Sequence, residues 1–212
     1  MVRKSNASSA GRATASVFAA RIRRYDARRD GILRAAAAIF RERGYADTGM
    51  RDIAMAADLS PANLYHYFKG KDEILFYCQD RALDRMIAGI AGSRRSLPDA
   101  GDRLRQVLIT HVLTMLDEVE GATAHLQVEA LTAGLRERIV RKRDRYEQAV
   151  RKLVTEGIRD GVFAAGNASL ITRAMLGALN WTVTWYRPRG PQSASEIAGE
   201  ISEYLLRGLR AR

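Results

Sequence analysis

Side chains able to read DNA bases and bind phosphates are concentrated between Thr48 and Lys71. Asparagine can pair with adenine and arginine with guanine, while tyrosine, serine and lysine suit phosphate oxygens. The segment reads as two short helices joined by a tight turn, with Ser60 and Pro61 opening the second helix. This arrangement predicts a helix-turn-helix whose DNA-contacting residues are Thr48, Arg51, Ser60, Pro61, Asn63, Tyr65, His66, Tyr67 and Lys71.

Two roles are expected within this set. Tyr65 and Lys71 suit phosphates, which position a protein on the duplex without reading its sequence. The residues placed for base edges are Arg51, Asn63, His66 and Tyr67. Phe68 is predicted to pack in the core instead.

The elements before this segment are a basic arm and a long helix. Residues 1–24 are rich in Ser, Ala, Arg and Gly and predict a flexible arm, which either reaches the minor groove or serves as a solubilising tail. Helical periodicity begins near Asp26 and stops at Gly44. Residues 25–71 are therefore predicted to form a helix-turn-helix domain.

Capping residues predict where the later helices begin. Thr48, Ser60 and Asp72 are expected at the N-termini of the second, third and fourth helices. The last helix should open with a capping box between Ser193 and Glu196.

The rest of the chain is helical in pattern. Proline is absent between Pro98 and Pro188, and periodicity predicts helices near 101–118, 121–134, 136–160 and 168–187. The predicted fold class is all-α with about nine helices, and residues 72–212 are expected to form a second domain that binds a ligand and dimerises.

Charge is distributed unevenly along the chain. Net charge is +11, and residues 1–72 hold 14 Lys or Arg against 7 Asp or Glu. A basic first third is expected if that part of the chain meets phosphates, although a generally basic protein would also show it.

Composition predicts a cytoplasmic protein. No run approaches the roughly 20 apolar residues of a membrane span, and the N-terminus lacks a secretory pattern. The single cysteine, Cys78, excludes an intramolecular disulfide and a cysteine-cluster metal site.

Residues 25–75 resemble the N-terminal domain of the TetR (tetracycline-repressor) family of bacterial transcription regulators. The shared pattern is Thr48-x-x-Arg51-Asp52-Ile53-Ala54, then Ser60-Pro61-x-x-Leu64-Tyr65-x-Tyr67-Phe68-x-x-Lys71-Asp72-Glu73-x-Leu75. The resemblance implies a homodimer on double-stranded DNA at a palindromic operator, usually a repressor released by a small molecule.

The C-terminal half resembles a subgroup that controls fatty-acid, sterol-ring or aromatic-acid breakdown, many of whose members sense acyl-coenzyme A thioesters. The residues are Leu176-Gly177-Ala178-Leu179-Asn180-Trp181, Trp185-Tyr186-Arg187-Pro188, and Gly157-x-x-x-Gly161-x-Phe163. An acyl chain needs an apolar tunnel, and the candidate lining residues are Leu108, Val112, Met115, Phe163, Met175, Trp181 and Trp185. Six cations between Arg136 and Arg145 could meet phosphates, or form a solvated helix face.

Small residues on the last two helices favour a dimer contact there, because they let helices of two subunits approach closely. The predicted interface residues are Ala174, Gly177, Ala178, Trp181, Ile201 and Leu205. Trp181 is thus assigned to either the ligand or the interface.

Rival functions remain open at this point. A sensor of cationic or lipophilic drugs would use acidic residues such as Glu118, Glu120 and Glu129, and an architectural DNA binder would use mainly the basic arm. An enzyme is disfavoured because His66, His111 and His125 show no metal-binding spacing, and His125 with Glu129 supplies only two ligands. No catalytic residue, metal or cofactor is predicted.

Overall fold

A computed structural model describes residues 6–116, 127–188 and 190–210, with the side chains of the first helix described from Val17 onward. This part of the chain forms eight α-helices and no strand, which confirms the all-α class. The helices are α1 (Asn6–Arg43), α2 (Met50–Ala56), α3 (Pro61–Tyr65), α4 (Lys71–Ser96), α5 (Ala100–Leu116), α6 (Ala133–Arg159), α7 (Ala168–Trp185) and α8 (Ala194–Arg207).

The helix predicted near 121–134 has no α-helical counterpart among the described residues. Residues 121–126 lie outside them, and the remainder holds a short 3-10 helix, Val128–Ala130, and the start of α6. No helix in the described ranges is long and apolar enough to cross a membrane.

α1 begins about twenty residues earlier than expected. The flexible arm predicted over residues 1–24 is helical from Asn6 onward, because those residues continue α1. Its flexibility stays a prediction. The segment lacks proline and is rich in alanine and arginine, which are among the best helix formers. α1 ends at Arg43, where Gly44 adopts a φ of +86°.

α2 and α4 are capped by glycines, not by the side chains predicted for them. Gly49 precedes α2, and its N–H donates to Asp52 Oδ2 at 2.8 Å. Thr48 is buried, with its hydroxyl donating to the Gly44 carbonyl at 2.7 Å, so it cannot cap α2. Gly70 precedes α4, which already includes Asp72.

The other two predicted caps are confirmed. Ser60 Oγ accepts from the Asn63 N–H at 3.2 Å, and Pro61 occupies the first position of α3. Ser193 and Glu196 form the capping box of α8, where the Ser193 N–H donates to Glu196 Oε2 at 2.7 Å.

Two hydrophobic clusters organise the interior, and α4 contributes to both. The first joins α1 to α4 and contains Phe40, Ile53, Leu64, Phe68 and Leu75. The second joins α4 to α8 and contains Met86, Leu104, Leu153, Leu179 and Leu206. A movement of α4 would therefore disturb both clusters. The domain boundary near residue 72 stays a prediction.

Candidate nucleic-acid interface and central cavity

α3 buries one side and exposes the other. Leu64 is fully buried, whereas Asn63 and Tyr65 are exposed, as is His66 directly after the helix. Phe68 is buried, as predicted. A helix this short is held by its cap, its proline and this buried side, so its outer side chains remain accessible.

A shallow groove brings α2 and α3 together. We call it the base-reading groove, and its lining consists of Arg51, Met55, Asp58, Leu59, Ser60, Pro61 and Asn63. Arg51 and Asn63, the pair expected to read guanine and adenine, thus line the same groove.

The turn between the two helices is stabilised from α1. Asp58 adopts a left-handed φ of +52°, which aspartate tolerates better than most residues. The Leu59 N–H donates to the Ala54 carbonyl at 2.9 Å, and Arg28 Nη2 donates to the Asp58 carbonyl at 2.9 Å. α1 therefore helps to set the angle at which α3 is presented.

Besides Ser60, whose Oγ caps α3, three predicted DNA contacts are buried or have partners within the protein. Thr48 is buried, so its assignment to the DNA face is wrong. Lys71 Nζ donates to the Tyr45 carbonyl at 2.7 Å and lies 4.2 Å from the centre of the Tyr45 ring. Tyr67 is half-buried, and its ring centre lies 5.1 Å from that of Tyr25. Phosphate binding by Lys71 and base reading by Tyr67 stay predictions.

A cavity of about 420 Å³ lies between α4, α5, α6 and α7; we call it the central cavity. Its lining residues are Leu83, Met86, His111, Met115, Val128, Glu129, Arg143, Asp144, Tyr146, Glu147, Leu176 and Asn180. Of the predicted ligand-binding residues, only Met115 belongs to this set.

The other six predicted ligand contacts do not line the central cavity. Four of them are buried in the second cluster: Leu108, Val112, Phe163 and Met175. Trp181 and Trp185 are exposed, Trp181 by 65%. Helical periodicity identified buried positions correctly, but it cannot distinguish a core-facing side chain from a cavity-facing one.

The central cavity contains a chain of hydrogen bonds that the sequence did not suggest. His111 Nδ1 lies 3.0 Å from the Tyr146 hydroxyl, and His111 Nε2 lies 3.1 Å from Asn180 Oδ1. The available signal was a histidine in α5 and an asparagine in α7, but Tyr146 and Asn180 lie 35 and 69 residues from His111 in the sequence.

Burial keeps His111 and Tyr146 neutral. It lowers the pKa of His111 to about 4, partly opposed by the hydrogen bond to Asn180, and it raises the pKa of Tyr146. A neutral imidazole has one donor and one acceptor, so Nε2–H donates to Asn180 Oδ1 and the Tyr146 hydroxyl donates to Nδ1. Among the described residues, the amide N–H groups of Asn180 and the oxygen of Tyr146 have no further hydrogen-bond partner, and Asn180 is exposed.

Most of the six α6 cations that were candidate phosphate ligands have protein partners. Arg136 and Arg141 pair with Glu129 and Glu137, and the Arg138 guanidinium lies 4.4 Å from the centre of the Phe76 ring. Among the six, only Arg143 lines the central cavity, and burial lowers its pKa.

An ion-pair cluster connects α6 to α4. Lys142 Nζ lies 2.6 Å from Asp80 Oδ1 and 2.8 Å from Asp84 Oδ2, and it donates to the Asp80 carbonyl at 2.9 Å. Next along α4, Arg81 pairs with Asp30 of α1. The wall of the central cavity is thereby linked to the DNA-binding segment.

α7 and α8 both expose apolar residues. Trp181 is 65% exposed and Tyr204 is 77% exposed. The predicted interface residues Ala174, Gly177 and Ala178 are exposed, and Ile201 and Leu205 are half-buried. This surface suits a dimer contact, which stays a prediction. Glu118, Glu120 and His125 lie outside the described residues.

Two family models match the chain. Residues 32–78 match the bacterial regulatory proteins of the tetR family, and residues 98–209 match the tetracyclin repressor-like C-terminal domain. The HTH-type transcriptional repressor KstR2 of Mycobacterium tuberculosis (strain ATCC 25618 / H37Rv) is 29% identical over 188 residues, which cover 87% of this chain and 94% of KstR2.

Solved structures share the fold. PfmR of Thermus thermophilus, a TetR family transcriptional regulator, has a TM-score of 0.77 and 34% identity, covering 85% of this chain and 99% of its own. AibR, solved in complex with isovaleryl coenzyme A and operator DNA, has a TM-score of 0.73 and 23% identity. The match covers 84% of this chain and 98% of AibR. The relatives are regulators, in agreement with the expectation that this chain is not an enzyme. The chain belongs to the TetR family of bacterial transcriptional regulators.

Proposed function

We propose that the protein is a homodimeric repressor that binds a palindromic operator in the cytoplasm and leaves it when a small molecule fills the central cavity. The observation that carries this proposal is the position of α4, which starts at the DNA-binding segment and also lines the central cavity. Two subunits joined through α7 and α8 would present two base-reading grooves to two half-sites.

The effector is an acyl-CoA thioester from lipid, sterol or aromatic-acid breakdown. Apolar side chains of the central cavity suit an acyl group: Leu83, Met86, Met115 and Leu176. Asn180 can donate to the thioester carbonyl, and Arg143 can meet a phosphate. A volume of about 420 Å³ accommodates the acyl part, with the nucleotide outside. The complex of AibR with isovaleryl coenzyme A supports this class.

Release follows from competition between two positions of α4. A ligand that prefers one arrangement of α6 displaces Lys142, and with it Asp80 on α4. If the ligand binds the arrangement that does not fit the operator about 3 kcal/mol more strongly than the one that does, operator affinity falls more than a hundredfold.

The test is a titration of the full-length protein on its operator with short-chain, long-chain, sterol-derived and aromatic CoA thioesters. Tryptophan fluorescence reports binding, and anisotropy of labelled operator reports release. Asn180→Leu should weaken the active thioester at least tenfold, while Gln148→Leu, on the solvent side of α6, should not. Activity of a CoA-free lipophile, with no thioester active at micromolar concentration, would contradict the proposal.

A second candidate effector class is a cationic or lipophilic drug, as in regulators of efflux. The carboxylates of Glu129, Asp144 and Glu147 line the central cavity. Glu147 Oε1 is buried and has no hydrogen-bond partner among the described residues, so it favours a ligand with a donor. Quaternary and protonated amines in the same titration distinguish this class from the thioesters.

A further inference from the structure

The N-terminal half of α1 carries a row of arginines that lies outside the helix-turn-helix. Arg21, Arg24 and Arg28 follow one another at helical spacing, and Arg21 and Arg24 are exposed. At about 100° per residue, all three fall within a sector of about 60°. We call them the arginine ridge.

The arginine ridge is continuous with the base-reading groove. Arg28 donates to the carbonyl of Asp58, and Asp58 lines that groove together with Arg51. Tyr25, one turn from Arg21, stacks on Tyr67 directly after α3. α1 therefore contacts the helix-turn-helix through Tyr25 and Arg28. Arg21 and Arg24 lie further toward the N-terminus of α1, away from these contacts.

We propose that the arginine ridge binds phosphates of the duplex that flanks each operator half-site. Arg21 lies about 10 Å along the helix axis from Arg28, and one DNA strand presents a phosphate every 3.4 Å or so. The ridge can therefore follow about three phosphates. It adds affinity without sequence preference, because it meets only the backbone.

Arg23 provides a control on the same helix. It is exposed and carries the same charge, but it points about 140° away from Arg28. A general effect of lowering the net charge would appear in Arg23→Gln at about half its size in the double variant, because one charge per subunit is lost instead of two. An effect of the ridge appears only in the double variant Arg21→Gln, Arg24→Gln.

The experiment measures operator affinity against salt for the full-length protein, on the footprinted operator with and without about ten flanking base pairs. On the longer duplex, the double variant should flatten the slope of log K against log[salt] by about 3–4 units per dimer, since four arginines are lost. Arg23→Gln should keep the wild-type slope, and the variants should converge on the short duplex.

Three results would contradict the proposal that the arginine ridge binds phosphates. The first is an unchanged slope in the double variant. The second is a loss of slope per removed charge that is as large in Arg23→Gln as in the double variant. The third is a loss of self-association in the double variant while DNA binding is kept, which would mean that Arg21 and Arg24 contact protein. Equal unfolding midpoints of the three proteins exclude misfolding as the cause. If the wild type shows no discrete operator, the proposed function fails, but the slopes on a random duplex still test the ridge.

Discussion

The Lys142 ammonium lies 2.6 Å from Asp80 Oδ1, and this ion pair joins the α6 wall of the central cavity to α4. The Lys142 side chain is only 16% exposed, so the pair is shielded from salt better than a surface pair. Its neighbour Arg143 lines the cavity, and Arg81, next to Asp80, pairs with Asp30 of α1. A shift of α6 can thus reach the DNA-binding segment through two successive ion pairs.

Removing this pair should uncouple the effector from the operator. In Lys142→Met with Asp80→Asn, the Asp84 carboxylate loses its partner but is 65% exposed and therefore hydrated, so we expect operator affinity within about threefold of wild type. Effector-induced release should fall by about tenfold or more, since about 1.4 kcal/mol of coupling is tenfold. Operator anisotropy with and without effector measures both quantities. Arg141→Gln is the control, because among the described residues Arg141 pairs within α6, with Glu137. Full release in the double variant would show that coupling runs elsewhere.

His111 should make stability depend on pH. The folded pKa of about 4 lies below the usual 6.5, so between these values the unfolded chain binds a proton that the folded chain does not. Stability is therefore lost as pH falls from about 6.5 to 4, by about 3 kcal/mol from this group. Urea unfolding of wild type and His111→Gln at several pH values isolates the effect. A constant difference between the two proteins at every pH would contradict it.

Local signals in the sequence predicted two of the four helix caps correctly. Ser60 and Glu196 act within three residues of their partners, so their roles could be read directly. The cavity could not be read in this way, because Tyr146 and Asn180 reach His111 only after α5, α6 and α7 have packed. The start of α1 was missed because serine and glycine suggested an arm, although alanine and arginine dominate its helix propensity.

Substitutions of Asn63 and Lys71 should have different effects, the first on base preference and the second on affinity for any duplex. Asn63→Ala should relax base preference at one operator position and leave the salt slope nearly unchanged. Lys71→Ala should weaken all duplexes alike and flatten the slope by about one unit per subunit. It should also lower the unfolding midpoint, because the Tyr45 and Ala46 carbonyls lose their donor. Binding selections on randomised operators measure the first effect. Identical specificity profiles for the two variants would refute the division of roles.

The exposed side of α7 should hold the dimer together. Ala178→Arg places a charge where two close helices would meet, and we expect it to produce monomers and abolish operator binding at nanomolar concentration. The fold of each subunit should survive, because Ala178 is exposed in the single chain. Sedimentation and circular dichroism measure the two outcomes. Ala91→Arg, on an exposed site of α4, controls for the added charge. A stable Ala178→Arg dimer would move the interface elsewhere.

Gly157 allows α6 and the following turn to pack closely, and an added methyl group should destabilise the fold. A Cβ at this position would lie 2.2 Å from Phe163 Cδ2, and Phe163 is buried in the second cluster. The ring would have to move, so Gly157→Ala should cost about 1–3 kcal/mol. Gly134→Ala is a matched control in the same helix, because nothing lies within 4 Å of its Cβ, and it should be neutral or stabilising by up to about 1 kcal/mol. Urea unfolding compares the two, and equal stabilities would mean that the Phe163 ring yields without cost.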